Sequence, residues 1–193
     1  MRAAREDCRR AGRLARRALE PAERVRAGDR IESHLAASSL WHAAGRVGLY
    51  FARGAEVDLS RLALRAFATA KIVHVPVVGR RGRMRFARVH PDSRLCLNRF
   101  GILEPESPPE YAPARSLDLV ITPLVAFDDD GNRIGMGAGY YDRCFRFLRH
   151  RTRWVRPKLV GAAFSCQRLN SIPAAPWDVP LFAIATEEGF VRF

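Results

Sequence analysis

Apolar residues recur at helical spacing twice in the first seventy positions. Ala27, Ile31 and Leu35 fall at i, i+4 and i+8 and predict a helix over 22–37 with one buried face. Leu59, Leu62, Ala63, Ala66, Phe67 and Ala70 share the face of another, with Asp58 or Ser60 available to cap it. Ahead of both, residues 3–19 hold no proline and only Gly12 among glycines, and read as an arginine-rich helix. Residues 41–45 read as a connector. Uninterrupted apolar runs at 47–51 and 72–78 bracket the second patterned helix, giving strand–helix–strand, the unit of a parallel sheet. A turn at 79–82 and alternation over 84–89 predict a hairpin strand. Residues 90–117 carry five prolines and read as a long irregular loop, a kind of segment that is often functional. Strands follow at 117–124 and 159–164, and short ones at 182–185 and 190–193. Between them lie a loop over 126–139, a helix over 140–151 and a loop holding Pro173, Pro176 and Pro180. The expected architecture is a single-domain, three-layer α/β/α sandwich over 1–193, with a mostly parallel, Rossmann-like central sheet and the 3–19 helix packed on it.

Composition supports one ordinary domain: 193 residues, 48% hydrophobic and 27% charged. No apolar run reaches the roughly 18–20 residues of a membrane span, and no apolar core follows Arg2, Arg5, Arg9 and Arg10 as a secretory signal would require. Cys8, Cys96, Cys144 and Cys166 form no Cys-x-x-Cys pair and have no histidine cluster beside them. Four reduced thiols in a cytoplasmic protein are expected. The charge is what stands out. The formal net charge is +13, and only Lys71 and Lys158 among the 33 basic residues are lysines. The excess sits in three stretches, 1–17 at +5, 79–99 at +6 and 143–158 at +7, so the rest of the chain is net negative. Nucleic acid, anionic small substrates and coding bias would each account for it. No interleaved aromatics or nucleic-acid-binding motif accompany the arginines.

The stretch from Asp118 to Arg143 carries the chemistry. It runs from a buried strand through a glycine-rich loop into a helix. Gly135, Gly137 and Gly139 leave three positions without a Cβ, so that backbone N–H groups there and at the helix start could approach phosphate oxygens. The spacing is neither the dinucleotide fingerprint nor a Walker loop. By itself it fits a tight turn as well as a binding loop. Arg133 before the glycines could fork onto phosphate, and Asp142 after them could hold magnesium or simply complement a helix dipole. Tyr140 and Tyr141 could be core residues.

The whole string is more specific. Pro123, Ala126, Phe127, Asp128, Gly131, Arg133, Gly135, Gly137, Gly139, Tyr140, Tyr141, Asp142 and Arg143, at their spacings, resemble the signature of the 5-formyltetrahydrofolate cyclo-ligase (methenyltetrahydrofolate synthetase) family. Residues 5–24 resemble that family's N-terminal helix, 47–58 its strand and glutamate-bearing loop, and 101–105 its Gly-Ile-x-Glu-Pro. Residues 161–167 on to Asp178-Val179-Pro180 resemble its C-terminal motif. The resemblance implies ATP as co-substrate and Mg2+ as metal, in the conversion of 5-formyltetrahydrofolate, possibly polyglutamylated, to 5,10-methenyltetrahydrofolate. It implies that Arg5, Arg9, Arg133, Ile134, Gly135, Met136, Gly137, Ala138, Gly139, Tyr140 and Tyr141 bind ATP. Phe51, Glu56 and the 136–140 segment would bind the folate, and Asp142 and Asp178 the metal. No protein nucleophile is implied, and the five histidines are scattered. A monomer without membrane or nucleic-acid partners is expected.

The sequence departs from the family pattern at several points. Arg5 replaces a lysine, Ala138 the middle glycine, and Ala175, Trp177 and Phe182 the Glu, His and final Asp of the C-terminal motif. These losses leave open a cyclo-ligase-like module that binds nucleic acid, or a nucleotide-binding protein with another substrate.

Overall fold

The computed structural model describes all residues except 80–82, 100, 107–108 and 152–154. Most of the turn expected at 79–82 therefore lies outside the described residues. The chain opens with α1 (Arg2–Ala18), α2 (Pro21–Ala37), α3 (Ser39–Ala43) and β1 (Arg46–Gly48). α4 (Ser60–Ala68), β2 (Ile72–Val78) and β3 (Met84–Val89) follow. Next come β4 (Leu95–Leu97), β5 (Leu103–Pro105), β6 (Tyr111–Ala112), β7 (Leu119–Pro123), β8 (Ala126–Phe127) and β9 (Arg133–Ile134). α5 (Tyr140–Phe145), β10 (Lys158–Ala162), β11 (Ala183–Thr186) and β12 (Gly189–Arg192) complete the order.

Eight strands form the main sheet in the order β12-β11-β10-β7-β1-β2-β3-β6. β2, β1, β7, β10 and β11 are mutually parallel, and the antiparallel pairs sit toward the edges. This is the mostly parallel α/β sheet expected. One face packs on α2, α3 and α4 through Ile31, Leu35, Trp41, Leu62 and Ala66 against Val47, Val73, Ile121 and Val160. The other packs on α5 through Phe145, with Phe86, Leu117, Val120 and Leu159.

Strand order reverses between β1 and β7. From that line one half of the sheet runs to β2 and the other to β10 and β11. Loops leaving the carboxyl ends of β1 and β7 diverge there, which is where open α/β sheets place ligands. α1 lies across these ends, against β8, β9 and a short 3-10 turn at Ser165–Gln167.

Four expectations change. The 41–45 connector belongs largely to α3, which Ser38 caps by accepting from Trp41 N at 3.2 Å. The 90–117 loop contains a β4–β5 hairpin and the edge strand β6. Their three-residue and two-residue lengths leave too few positions for alternation to register. β1 ends at Gly48, so residues 49–51 already belong to the loop. The 140–151 helix stops at Phe145 and continues as a 3-10 helix over Arg146–His150, which shortens any dipole at its start.

Candidate active site

The glycine loop is held by its own hairpin. Asp128, 1% exposed, accepts from the backbone N–H groups of Asp130, Asn132 and Ile172 and from Asn132 Nδ2, at 2.9–3.2 Å. Its carboxylate therefore fixes the turn between β8 and β9. From β9 the chain passes Gly135, Met136, Gly137, Ala138 and Gly139 and enters α5. Gly137 and Gly139 have φ of 103° and 62°, where a side chain would be strained. Arg143 braces the segment by donating to Ala138 O at 2.6 Å. Met136 is 57% exposed, whereas the Ile134 side chain is fully buried beside Ala126 and Ile172. Ile134 thus has only backbone to offer a ligand. Tyr141 stacks on Phe145 at 6.2 Å and fringes the core, while Tyr140 lies under the Arg143 guanidinium at 5.2 Å.

α1 reaches this loop because Gly12 allows it. A Cβ there would collide with the carbonyl oxygen of Val125, so the helix packs backbone-close on the β7–β8 junction. Arg9 Nε then donates to Gly135 O at 3.1 Å, with its guanidinium beside Gly137. One turn away, Arg5 makes a two-pronged pair with Asp178, at 2.5 and 3.1 Å, and donates to Pro173 O at 2.7 Å. Arg133, buried at 6%, donates from Nη2 to Asp142 Oδ1 at 2.7 Å, and Val179 N donates to the same oxygen at 3.2 Å. Two arginine–aspartate pairs thus stand side by side next to the glycine loop.

Phe51 and Glu56 come from the loop after β1. Phe51 packs half-buried on the core. Glu56 accepts from Arg53 N at 3.0 Å, and burial pushes its carboxyl above the usual range, partly offset by that bond and by Arg16 and Arg53. Tyr50 donates to Val57 O at 2.9 Å, and its hydroxyl is pushed up by burial and then by Glu56. Glu56 also contributes to the raised value of Tyr141, after burial. The loop after β1 and the start of α5 therefore lie close enough for Glu56 to influence Tyr141.

Arg16, Gln167 and Asp128 belong to this site and escaped assignment. Gln167, 1% exposed, donates to Leu124 O at 3.1 Å and Val125 O at 2.8 Å and accepts from Phe164 N. Gln167 and Asp128 both stood inside recognisable motifs, and their types were the available signal. Arg16 was one of seven arginines in 1–17 and carried none.

Among the described residues no three His, Cys, Asp or Glu side chains converge. Asp142 and Asp178 flank a phosphate-sized loop, and magnesium is commonly held by one or two carboxylates together with substrate phosphates and waters. The donors suit such an ion once the arginines turn to phosphate.

Comparison with known proteins settles the lineage. The profile of the 5-formyltetrahydrofolate cyclo-ligase family matches residues 1–187. The chain belongs to this family. It is similar to the 5-formyltetrahydrofolate cyclo-ligase of Escherichia coli (strain K12), 34% identical over 177 residues that cover 90% of this chain and 95% of that one. The Haemophilus influenzae cyclo-ligase is 37% identical over 146 residues, covering 73% and 75%. In fold it resembles Aquifex aeolicus 5,10-methenyltetrahydrofolate synthetase, with a TM-score of 0.83, 31% identity, and coverage of 97% and 92%. Membership makes the chain an enzyme, a ligase of folate one-carbon metabolism, and bears out the resemblance drawn from its motifs.

Proposed function

We propose that the chain closes 5-formyltetrahydrofolate to 5,10-methenyltetrahydrofolate at the expense of ATP, releasing ADP and phosphate. The observation that carries this reading, within the family, is the seating of Arg9 on the glycine loop, Nε to Gly135 O at 3.1 Å, beside the Arg5–Asp178 and Arg133–Asp142 pairs. Such a cradle offers backbone approach and guanidinium forks to a triphosphate. Glu56 is suited to accept the paired N–H donors of a pterin, and Phe51 to wall its flat face.

The substrate supplies its own nucleophiles. The formyl oxygen attacks the γ-phosphorus and ADP leaves, giving an iminium phosphate at nitrogen 5. Nitrogen 10 then bonds to the activated carbon and gives up its proton, and phosphate departs with the former formyl oxygen. Catalysis is then positioning and neutralisation of phosphate charge. Magnesium, held by Asp142 and Asp178 with the nucleotide's phosphates, would add to that neutralisation. The residues' part is to orient two substrates and exclude water. The enzyme would act as a cytoplasmic monomer on folates carrying one or several glutamates.

The nucleic-acid alternative loses support from the direction of two α1 arginines. Arg5 and Arg9 have side chains only 13% and 16% exposed and turn inward. No helix among the described residues is long and apolar enough to cross a membrane. The test is a turnover assay with ATP, magnesium and 5-formyltetrahydrofolate. Absorbance in the methenyl product's band should rise in step with ADP release. Absence of both, from folded protein, would overturn the reading.

A further inference from the structure

Arg16 stands apart from the other arginines of α1. It is 8% exposed, yet Nε has no hydrogen-bond partner and Nη1 has only a long contact to Leu124 O at 3.4 Å. Among the described residues it forms no ion pair within 4 Å. Its location explains why this matters. α1 crosses the carboxyl ends of the strands, with Gly12 pressed on Val125 one turn earlier. The Arg16 guanidinium consequently lies against Leu124, just past the carboxyl end of β7, and near enough to Tyr50 and Glu56 in the loop after β1 to feel their charge. Burial lowers its pKa, and the opposing influences come first from Glu56 and then from Tyr50. A buried cation with a spare N–H, close enough to a partly buried carboxylate to feel its charge but with no hydrogen bond or ion pair to it among the described residues, is a donor without its acceptor. Proteins seldom leave such a donor unsatisfied unless something else completes it.

We infer that Arg16 is a folate-recognition residue. Its guanidinium donates to the ring carbonyl oxygen of the pterin, while Glu56 accepts from the neighbouring ring N–H and amino group. The 2-amino-4-oxo edge of a pterin presents an acceptor beside two donors, and an arginine and a carboxylate on either side of one cleft are its complement. Arg16 also helps to keep Glu56 ionised, the state in which it can only accept. This inference rests on the cyclo-ligase reading and adds a substrate contact to it. The role is one of binding and positioning, since the guanidinium takes no part in bond making.

The experiment measures binding of 5-formyltetrahydrofolate and, separately, of ATP by calorimetry, in the wild type, Arg16→Met and Arg16→Lys. Arg16→Met preserves length and removes every donor. Folate affinity should fall by about tenfold or more, as expected for a lost charged hydrogen bond, with ATP affinity within about twofold of wild type. The second readout is pH. Groups facing Glu56 are Arg16 from α1, Arg53 and Tyr50 from its own loop, and Tyr141 from α5. Folate affinity requires the carboxylate and is lost as pH falls through the Glu56 pKa. Removing Arg16 lifts that pKa, so the loss must begin at a higher pH in Arg16→Met, whereas Arg16→Lys keeps the wild-type profile. A purely structural Arg16 would not move this limb. Equal folate affinity and an unmoved limb in folded Arg16→Met overturn the inference. If that variant does not fold, Arg16→Lys decides: a short ammonium cannot supply the fork, so wild-type folate affinity there also overturns it. Wild-type protein that binds no folate would instead overturn the cyclo-ligase reading itself.

Discussion

Asp142 shows how one side chain can serve two purposes whose loss must be told apart. Its carboxylate is the partner of Arg133, whose side chain is 4% exposed. Asp142→Ala should abolish turnover. It should also leave a buried guanidinium uncompensated, at a cost of about 3 kcal/mol in stability. Asp142→Asn keeps an acceptor for Arg133 but not its counter-charge, and should retain part of that stability while still losing turnover. Urea midpoints and the absorbance assay separate the two effects. An Asn variant turning over at the wild-type rate would remove Asp142 as a metal ligand. The types of Asp142 and Arg133 were readable, but their pairing was not, because they stand nine positions apart on either side of the glycine loop.

At the scale of elements, α1 is an arm whose attachment would decide the proposed nucleotide side of the site. Gly12→Ala should push it away from Val125, costing about 1–3 kcal/mol as an overpacking change. It should weaken ATP binding more than folate binding, since Arg5 and Arg9 ride on that helix. Thermal unfolding and calorimetry check both, and unchanged stability would mean that the helix seats differently. The long elements were legible because their periodicity extends over many residues: α2 buries the expected Ala27, Ile31 and Leu35, and β2 and β3 pair as the predicted hairpin. α3, β4, β5 and β6 were not, being two to five residues long and held by tertiary pairing. α5 was over-read, because Tyr140 to His150 keeps a helical composition while the chain tightens to 3-10 geometry after Phe145. The glycine loop was legible as a loop; the inward turn of Arg16 depended on where α1 crosses the sheet, which no local pattern encodes.

At the scale of the molecule, the net charge of +13 meets two anionic substrates. A positive field of this size should raise their encounter rate. The kcat/KM for both should fall several-fold between about 50 and 500 mM salt, with kcat little changed, because screening weakens the approach more than the bound complex. Steady-state kinetics across that range test it, and flat kcat/KM values would assign the arginine excess to coding bias alone. The lysine-poor composition needs no electrostatic explanation, since arginine and lysine contribute equally to that field.

The Arg5–Asp178 pair joins positions 173 apart in the chain. During synthesis the α1 arginines emerge first and their acidic and carbonyl partners at Pro173 and Asp178 last. The proposed nucleotide cradle therefore cannot close until the C-terminal segment is present, and until then Arg5 lacks its counter-charge. Substrate binding cannot assist folding before that closure, and a ligand added to refolding protein should speed only the final docking of α1.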